Sequence, residues 1–242
     1  MNGLVLVDKP PGPSSFDVVK RLRARYGVKA GHAGTLDPLA SGLLLCLLGP
    51  STRLARYLVW LDKRYLTEIR LGRVTTTGDG EGEIELIVPQ ASAVKIAGER
   101  AYRLHRRGVA VEMPTRTSTI HSVEVRRYEP PLVELELHVS SGTYVRAIAT
   151  ALGGHCRTIR RISVGPFQAE DADEERVLAP LAALVFLRER ELSDEEVGLV
   201  RTGRAVPGVG DGTVALWSDG ELVAVGQAGT GMIRPETVLP AT

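Results

Sequence analysis

Gly31-His32-Ala33-Gly34-Thr35-Leu36-Asp37-Pro38-Leu39-Ala40-Ser41-Gly42 runs directly into Leu43-Leu44-Leu45-Cys46-Leu47-Leu48. The second part is a short unbroken apolar run bounded by glycine, which reads as a buried strand. The first part is punctuated by glycines and one proline, and reads as a loop that delivers polar groups to the mouth of that strand. Asp37 is the group best placed for chemistry there. A carboxylate held between glycines and a proline can be oriented and partly desolvated, which is what proton transfer or nucleophilic attack needs. Asp-Pro is equally a common turn pair, because aspartate bonds readily to its own backbone. Both readings stand at this point, as they do for His32, a phosphate or base contact or a packing residue of the loop.

Working outward, Leu4 to Lys9 reads as a short strand halted by Pro10-Pro11-Gly12-Pro13, where missing amides and fixed φ end a ladder. A helix follows, capped by Ser14 or Ser15, with Phe16, Val18, Val19 and Leu22 as its apolar stripe and Gly27 at its end. Ser51 to Leu61 has helical spacing. Tyr65 to Leu71 alternates like a strand, 75–82 is a loop, and Ile84 to Val88 is another strand. Thr119 to Arg127 and Leu132 to Val139 pair as antiparallel strands across Pro130-Pro131. The loop Ser140-Ser141-Gly142-Thr143 leads into a helix from Tyr144 to Leu152, and Thr158 to Val164 is a further strand. Ser193-Asp194-Glu195-Glu196 is a capping box. Ser218-Asp219-Gly220 between Val214–Trp217 and Leu222–Val225 is a hairpin signal. The expected fold is α+β: a mixed, largely antiparallel sheet flanked by helices over residues 1–187, and a small β-rich domain over 188–242.

The 242 residues are 43% hydrophobic, enough for a sizeable core. No stretch of about 18 apolar residues and no basic segment followed by an apolar run occurs, so neither a membrane span nor a signal peptide is expected, and a cytoplasmic location is the default. Cys46 and Cys156 lack metal-ligand spacing and read as free thiols. The net charge of +1 conceals a partition: 11 Lys/Arg against 5 Asp/Glu over 1–72, 8 against 3 over 95–127, 4 against none over 140–166, and 6 against 14 over 168–242. A cationic body of this kind can attract phosphate, or its charges can simply solvate helix faces. There is no P-loop, dinucleotide fingerprint, HExxH, zinc set or nucleophile elbow, so neither a nucleotide cofactor nor a metal is implied. Arg146, near the start of a helix, could bind phosphate or orient a carboxylate, or lie on the surface. Tyr65 could stack on a base or belong to the core.

The ordered motifs resemble the bacterial TruB family, the tRNA pseudouridine-55 synthases. They are Val7-Asp8-Lys9-Pro10-Pro11-Gly12 with Ser14 to Asp17, Gly31 to Leu44, Asp62-Lys63-Arg64-Tyr65, Leu71-Gly72 with Thr75, Thr77 and Asp79, and Ser141-Gly142-Thr143-Tyr144-Val145-Arg146. Coverage runs from about residue 3 to 167, with a weaker likeness of the C-terminal part to the RNA-binding PUA-type domain. The resemblance implies a pseudouridine-synthase fold and isomerisation of a uridine in the T-loop of tRNA. It places the catalytic aspartate on Asp37, the arginine that orients it on Arg146 and the active-site tyrosine on Tyr65. Substrate contacts fall on His32, Tyr144 and Ile159, and Lys9 and Pro10 support the site. It implies no cofactor, an RNA-gripping insertion at about 89–118, contact with the tRNA T-loop and acceptor stem, and a monomer without an obligatory protein partner. Guide-RNA-dependent pseudouridine synthases share these motifs, and a non-catalytic RNA-folding factor is the alternative of another class. In one respect the chain departs from the family: the segment between Ile84 and Pro89 is much shorter.

Overall fold

A computed structural model describes residues 1–72 and 82–241. Thr75, Thr77, Asp79 and most of the loop expected at 75–82 lie outside the described residues. By backbone contacts the chain divides into two compact units, Met1–Val59 with Val164–Thr242, and Trp60–Ser163.

The first unit is built on the strand Ser41–Leu48, in which Leu43 to Leu48 are all fully buried. The strand Gly3–Lys9 lies antiparallel to it from Gly3↔Leu48 to Lys9↔Gly42. Its other edge carries Asp173–Leu178. The short strand Ala30–Ala33 also pairs with Ser41–Leu48, setting His32 opposite Cys46. His32 therefore sits on a strand rather than in the expected loop, because the backbone stays extended until Gly34. The helix Ser15–Tyr26 begins in a capping box between Ser14 and Asp17 and ends at left-handed Gly27. Its buried stripe is Ser15, Val18, Val19 and Leu22, an i, i+3, i+4, i+7 set. Phe16, expected in that stripe, is 52% exposed. It lies to the side of the 15–18–19–22 line, and Lys20 and Arg23 sit 5.0 and 5.9 Å from its ring centroid. The helical spacing of 51–61 resolves into a 3-10 turn, Gly49–Leu54, and one helical turn, Ala55–Leu58.

A separate five-stranded sheet occupies the C-terminal part of this unit, in the order Arg188–Glu191, Gly212–Ser218, Glu221–Gly229, Met232–Val238 and Val206–Pro207. The hairpin expected at 218–220 is present, with Asp219 at φ 50° and Gly220 at φ 76°, the positive-φ pair that a two-residue turn requires. The helix Asp194–Arg201 carries the expected capping box and buries Val200 against Val206, Val214, Leu216 and Ile233. Tyr57 Oη meets Thr237 Oγ1 at 2.8 Å and Arg53 donates to the Val238 carbonyl at 2.9 Å, fastening this sheet to the N-terminal segment.

The second unit carries the strands Gly154–Val164, Lys63–Leu71, Leu132–Val139, Thr115–Glu129 and Gly82–Ile87 side by side. Tyr65 pairs with Leu137 and Ile69 with Val133. Period-2 alternation turns Tyr65, Thr67, Ile69, Val133, Leu135, Leu137 and Val139 inward. Arg64, Glu136 and Arg126 on the other face are linked by Arg64–Glu136 at 3.4 Å and Arg126–Glu136 at 2.5 Å. The helix Val145–Ala151 buries Val145, Ala147, Ile148 and Ala149. The basic stretch contains the two-stranded piece Lys95–Ile96 and Glu99–Arg100 and the helix Ala101–Arg106. Among the described residues no helix is long and apolar enough to cross a membrane, and both cysteines are free thiols.

The two sides of the first helix should respond differently to truncation. Leu22→Ala is expected to lower unfolding free energy by about 2–5 kcal/mol, and Phe16→Ser to change it by less than about 0.5 kcal/mol, both read from urea denaturation curves.

Candidate active site

In the first unit the backbone around Asp37 is clamped from three directions. The Ala40 amide donates to the Asp37 carbonyl at 3.0 Å, closing a turn with Pro38 at its second position, where the fixed φ of proline is favoured. The turn reading of Asp-Pro is thus correct for the backbone, and it leaves the carboxylate of a half-buried residue to the side. Gly34 at φ 95° and Gly42 at φ 100° bracket the segment, conformations that a side chain would strain.

The residue before the turn is held by Ser15, whose Oγ accepts from the Leu36 amide at 2.8 Å and donates to the Leu36 carbonyl at 2.9 Å. The turn itself is held at its second residue by the Pro38 carbonyl, which accepts from the Gly12 amide at 2.7 Å and from Lys9 Nζ at 3.4 Å. Lys9 is fully buried. Its ammonium donates also to the carbonyls of Pro10 and Pro13, each at 2.9 Å. The proline-rich segment that stops the first strand is therefore folded around a lysine and used as a brace for the Asp37 turn. Pro10 is exposed, and its part in the brace is its carbonyl.

The second unit carries Tyr65, Tyr144, Arg146 and Ile159. Tyr65 is 8% exposed on the inner face of its strand and Ile159 5% on the neighbouring strand. The two strands are stitched by Thr67 Oγ1, which donates to the Thr158 carbonyl at 2.7 Å. Tyr144 is the half-buried residue that opens the helix Val145–Ala151, its carbonyl accepting from the Ala147 amide at 2.9 Å. Arg146, also half-buried, donates from Nη2 to the Ala91 carbonyl at 2.9 Å and borders a cleft of about 700 Å³ with Leu86, Val88 and Cys156.

The loop before that helix is fixed twice. Ser140 exchanges hydrogen bonds with Thr119 at 2.9 Å. Lys63 donates to Ser141 Oγ at 3.1 Å and to the Leu61 carbonyl. Burial, with the Arg161 guanidinium as a second cause, pulls the Lys63 ammonium down to about 8. From the sequence Ser15 is an alternative cap of the first helix, a place that Ser14 takes, and Lys63 is part of a motif. Their positioning roles became visible through contacts made far along the chain.

The family profile described as TruB family pseudouridylate synthase (N terminal domain) matches residues 20–86 and 80–145, together more than half of the chain. The chain belongs to the TruB family. It is 38% identical to the tRNA pseudouridine synthase B of Thermobifida fusca (strain YX) over 287 aligned positions, covering 98% of each chain. It is 36% identical to that of Arthrobacter sp. (strain FB24), covering 98% of this chain and 96% of the relative. Among solved structures, one described as a Cbf5-Nop10-Gar1 complex matches with a TM-score of 0.76 at 26% identity over 97% of this chain and 83% of the other. The likeness establishes the pseudouridine-synthase fold expected from the sequence.

The shortening is visible in the same matches. An alignment of 287 positions cannot be filled by 242 residues, so at least 45 positions occupied in the Thermobifida fusca relative are empty here. The TruB profile also breaks into two pieces that meet at residues 80–86, next to the segment read as shortened.

Ser15→Ala removes both bonds to Leu36 and leaves a buried amide and carbonyl without that partner, so it is expected to cost about 1–3 kcal/mol of stability. If Ser15 positions the Asp37 turn, turnover should fall in the variant while tRNA affinity is retained, as read by kcat and KM measured separately.

Proposed function

We propose that this TruB-family protein converts a uridine of tRNA to pseudouridine, the reaction for which its curated relatives are named, and that the uridine is the one at position 55 in the T-loop. The observation that carries the reading is the braced turn at Asp37: a carboxylate on a backbone fixed on both sides by Ser15, Gly12 and Lys9, in a chain of this family.

The isomerisation breaks the bond between C1′ and N1, turns the base, forms a bond between C1′ and C5, and replaces the C5 proton by one on N1. It is redox-neutral. The base must leave its stack to expose the glycosidic bond, at a cost of a few kcal/mol, offset by about 1–3 kcal/mol of stacking on an aromatic side chain and by phosphate contacts from the basic stretches. In this reading Asp37 acts at the ribose, either attacking C1′ or taking the 2′ proton. Arg146 orients that carboxylate, and Tyr65 stacks on the flipped uracil. His32, Tyr144 and Ile159 contact the nucleotide. Lys9 and Pro10 support the Asp37 turn, as their hydrogen bonds suggest. The insertion at about 89–118 grips the RNA, and the C-terminal sheet at 188–242 acts as a PUA-like module on the acceptor stem. The protein works as a cytoplasmic monomer.

The likeness to a Cbf5-containing complex gives a second reading, a synthase that works with partner proteins and a guide RNA. One assay separates the two. The purified chain alone, incubated with an unmodified tRNA transcript, is expected to produce pseudouridine at position 55, mapped by carbodiimide labelling and primer extension. No product without added partners would favour the guided reading. Asp37→Asn is expected to abolish turnover while leaving tRNA affinity within about twofold, since an uncharged isostere removes the chemistry rather than the fold; substantial residual turnover would remove Asp37 from its role. Tyr65→Phe keeps the stacking face, so an unchanged rate would confine Tyr65 to stacking, and a slowed chemical step would add proton transfer to its role.

A further inference from the structure

On the outward face of the second unit three strand segments bring together side chains that the proposed reaction does not use. Asp62 immediately precedes the strand Lys63–Leu71 and shares the parity of Arg64, which pairs with His138 on the neighbouring strand. Asp62 and His138 therefore project from one face. On the next strand the register runs Ile120↔Val139 and then Ser122↔His138. This places both His121 and Ser122 against His138, a β-bulge of the kind that re-aims a side chain.

As a result His121 Nε2 lies 3.2 Å from Asp62 Oδ2. The His121 and His138 ring centroids are 4.7 Å apart with planes at 45°. One ligand atom from each of the three residues lies within 4.8 Å of the others. A tetrahedral ion with bonds of about 2.0–2.1 Å has ligand atoms roughly 3.3 Å apart, so the His121–Asp62 edge already has the required length. Rotation of the His138 ring, whose ligand atom lies within 4.8 Å of the other two, would complete the set.

We propose that Asp62, His121 and His138 form a binding site for a zinc-type divalent ion, held by two imidazole nitrogens and one carboxylate oxygen, with water completing the shell. Two nitrogens and one oxygen select such an ion over magnesium or calcium, which prefer all-oxygen shells. Asp62 is 44% and His121 35% exposed, so water can reach the remaining position. Arg64, whose positive charge would oppose a cation there, is engaged by Glu136 at 3.4 Å. A bound ion would tie the start of Lys63–Leu71 and the end of Leu132–Val139 to the middle of Thr115–Glu129. An ordinary His121–Asp62 ion pair accounts for one of the contacts, but not for the second imidazole, His138, beside which the bulge at His121 sets the first.

The test is a calorimetric titration of metal-stripped protein, free of any polyhistidine tag, with zinc chloride alone. Saturable uptake of one equivalent is expected, with a higher melting temperature. His121→Ala and His138→Ala should each weaken binding by at least about 10–100-fold, the loss typical of a mere outer-shell partner, and His105→Ala, on another element, should leave it unchanged. Should either variant fail to fold, long-range proton–nitrogen spectra of the wild-type imidazoles give the same answer: zinc should shift two of the five histidines together, those of residues 121 and 138. Absence of saturable binding, binding indifferent to both substitutions, or movement of other histidines instead would overturn the proposal.

Discussion

The ammonium of Lys9 is enclosed by the carbonyls of Pro10, Pro13 and Pro38, and the candidate site depends on that enclosure. Removing a charge from water costs several kcal/mol unless hydrogen bonds replace the hydration. Three carbonyls supply those bonds here, and prolines suit the purpose because they keep the acceptor while removing a competing donor. The arrangement reads in both directions. The lysine fixes the proline segment, and the segment carries Gly12 to the Pro38 carbonyl, so the strand end, the helix start and the Asp37 turn form one rigid corner. The turn then needs little ordering when a substrate arrives, which is the physical content of preorganisation.

The first strand, the buried strand at 41–48 and the hairpin at 218–220 were legible because each rests on local chemistry: an apolar run, a proline stop, a positive-φ pair. The first helix shows where local chemistry ends. Its caps at Ser14 and Gly27 could be read from the chain, but of two adjacent candidates for the buried face hydropathy favours Phe16, and the fold buries Ser15. The serine is inside because the Leu36 amide and carbonyl, 21 residues away, need a partner. No periodicity carries that information. His32 was placed in a loop because glycines flank it, whereas its backbone is recruited as an extra strand by Ser41–Leu48, a tertiary demand that overrides local propensity.

The candidate site was legible to a different degree. Residue chemistry singled out Asp37 but left it balanced against a turn residue, and the structure shows why the balance could not be broken from within the motif: Asp37 opens a turn in either case. The order of the motifs along the chain supplied what the residues alone could not. The cluster of Asp62, His121 and His138 lay beyond any spacing rule, since its members are separated by 59 and 17 positions and meet only through the register of three strands and one bulge.

Charge is the last place where sequence and space diverge. The excess of basic residues over 1–72 and of acidic residues over 168–242 suggests two regions of opposite potential. In the fold the strand Asp173–Leu178 lies along Gly3–Lys9, and it brings Glu174 and Glu175 to Arg21 and Arg25, each at 2.5 Å. Part of the N-terminal cationic excess is therefore matched by the acidic segment within the same unit, and counting along the chain overstates what remains to attract a polyanion. The helix Ala101–Arg106 within the basic stretch 95–127 differs, although Arg126 and Arg127 farther along that stretch pair with Glu136 and Glu129. Arg107 is paired with Glu99 at 2.8 Å, but Arg103 and Arg106 lie at 5.9 and 5.7 Å from the Tyr102 ring, a contact that orients guanidinium groups without neutralising them. A helix that keeps its charge while fixing its geometry favours phosphate binding over simple solvation, and this one lies within the segment at about 89–118 that the resemblance assigns to gripping RNA.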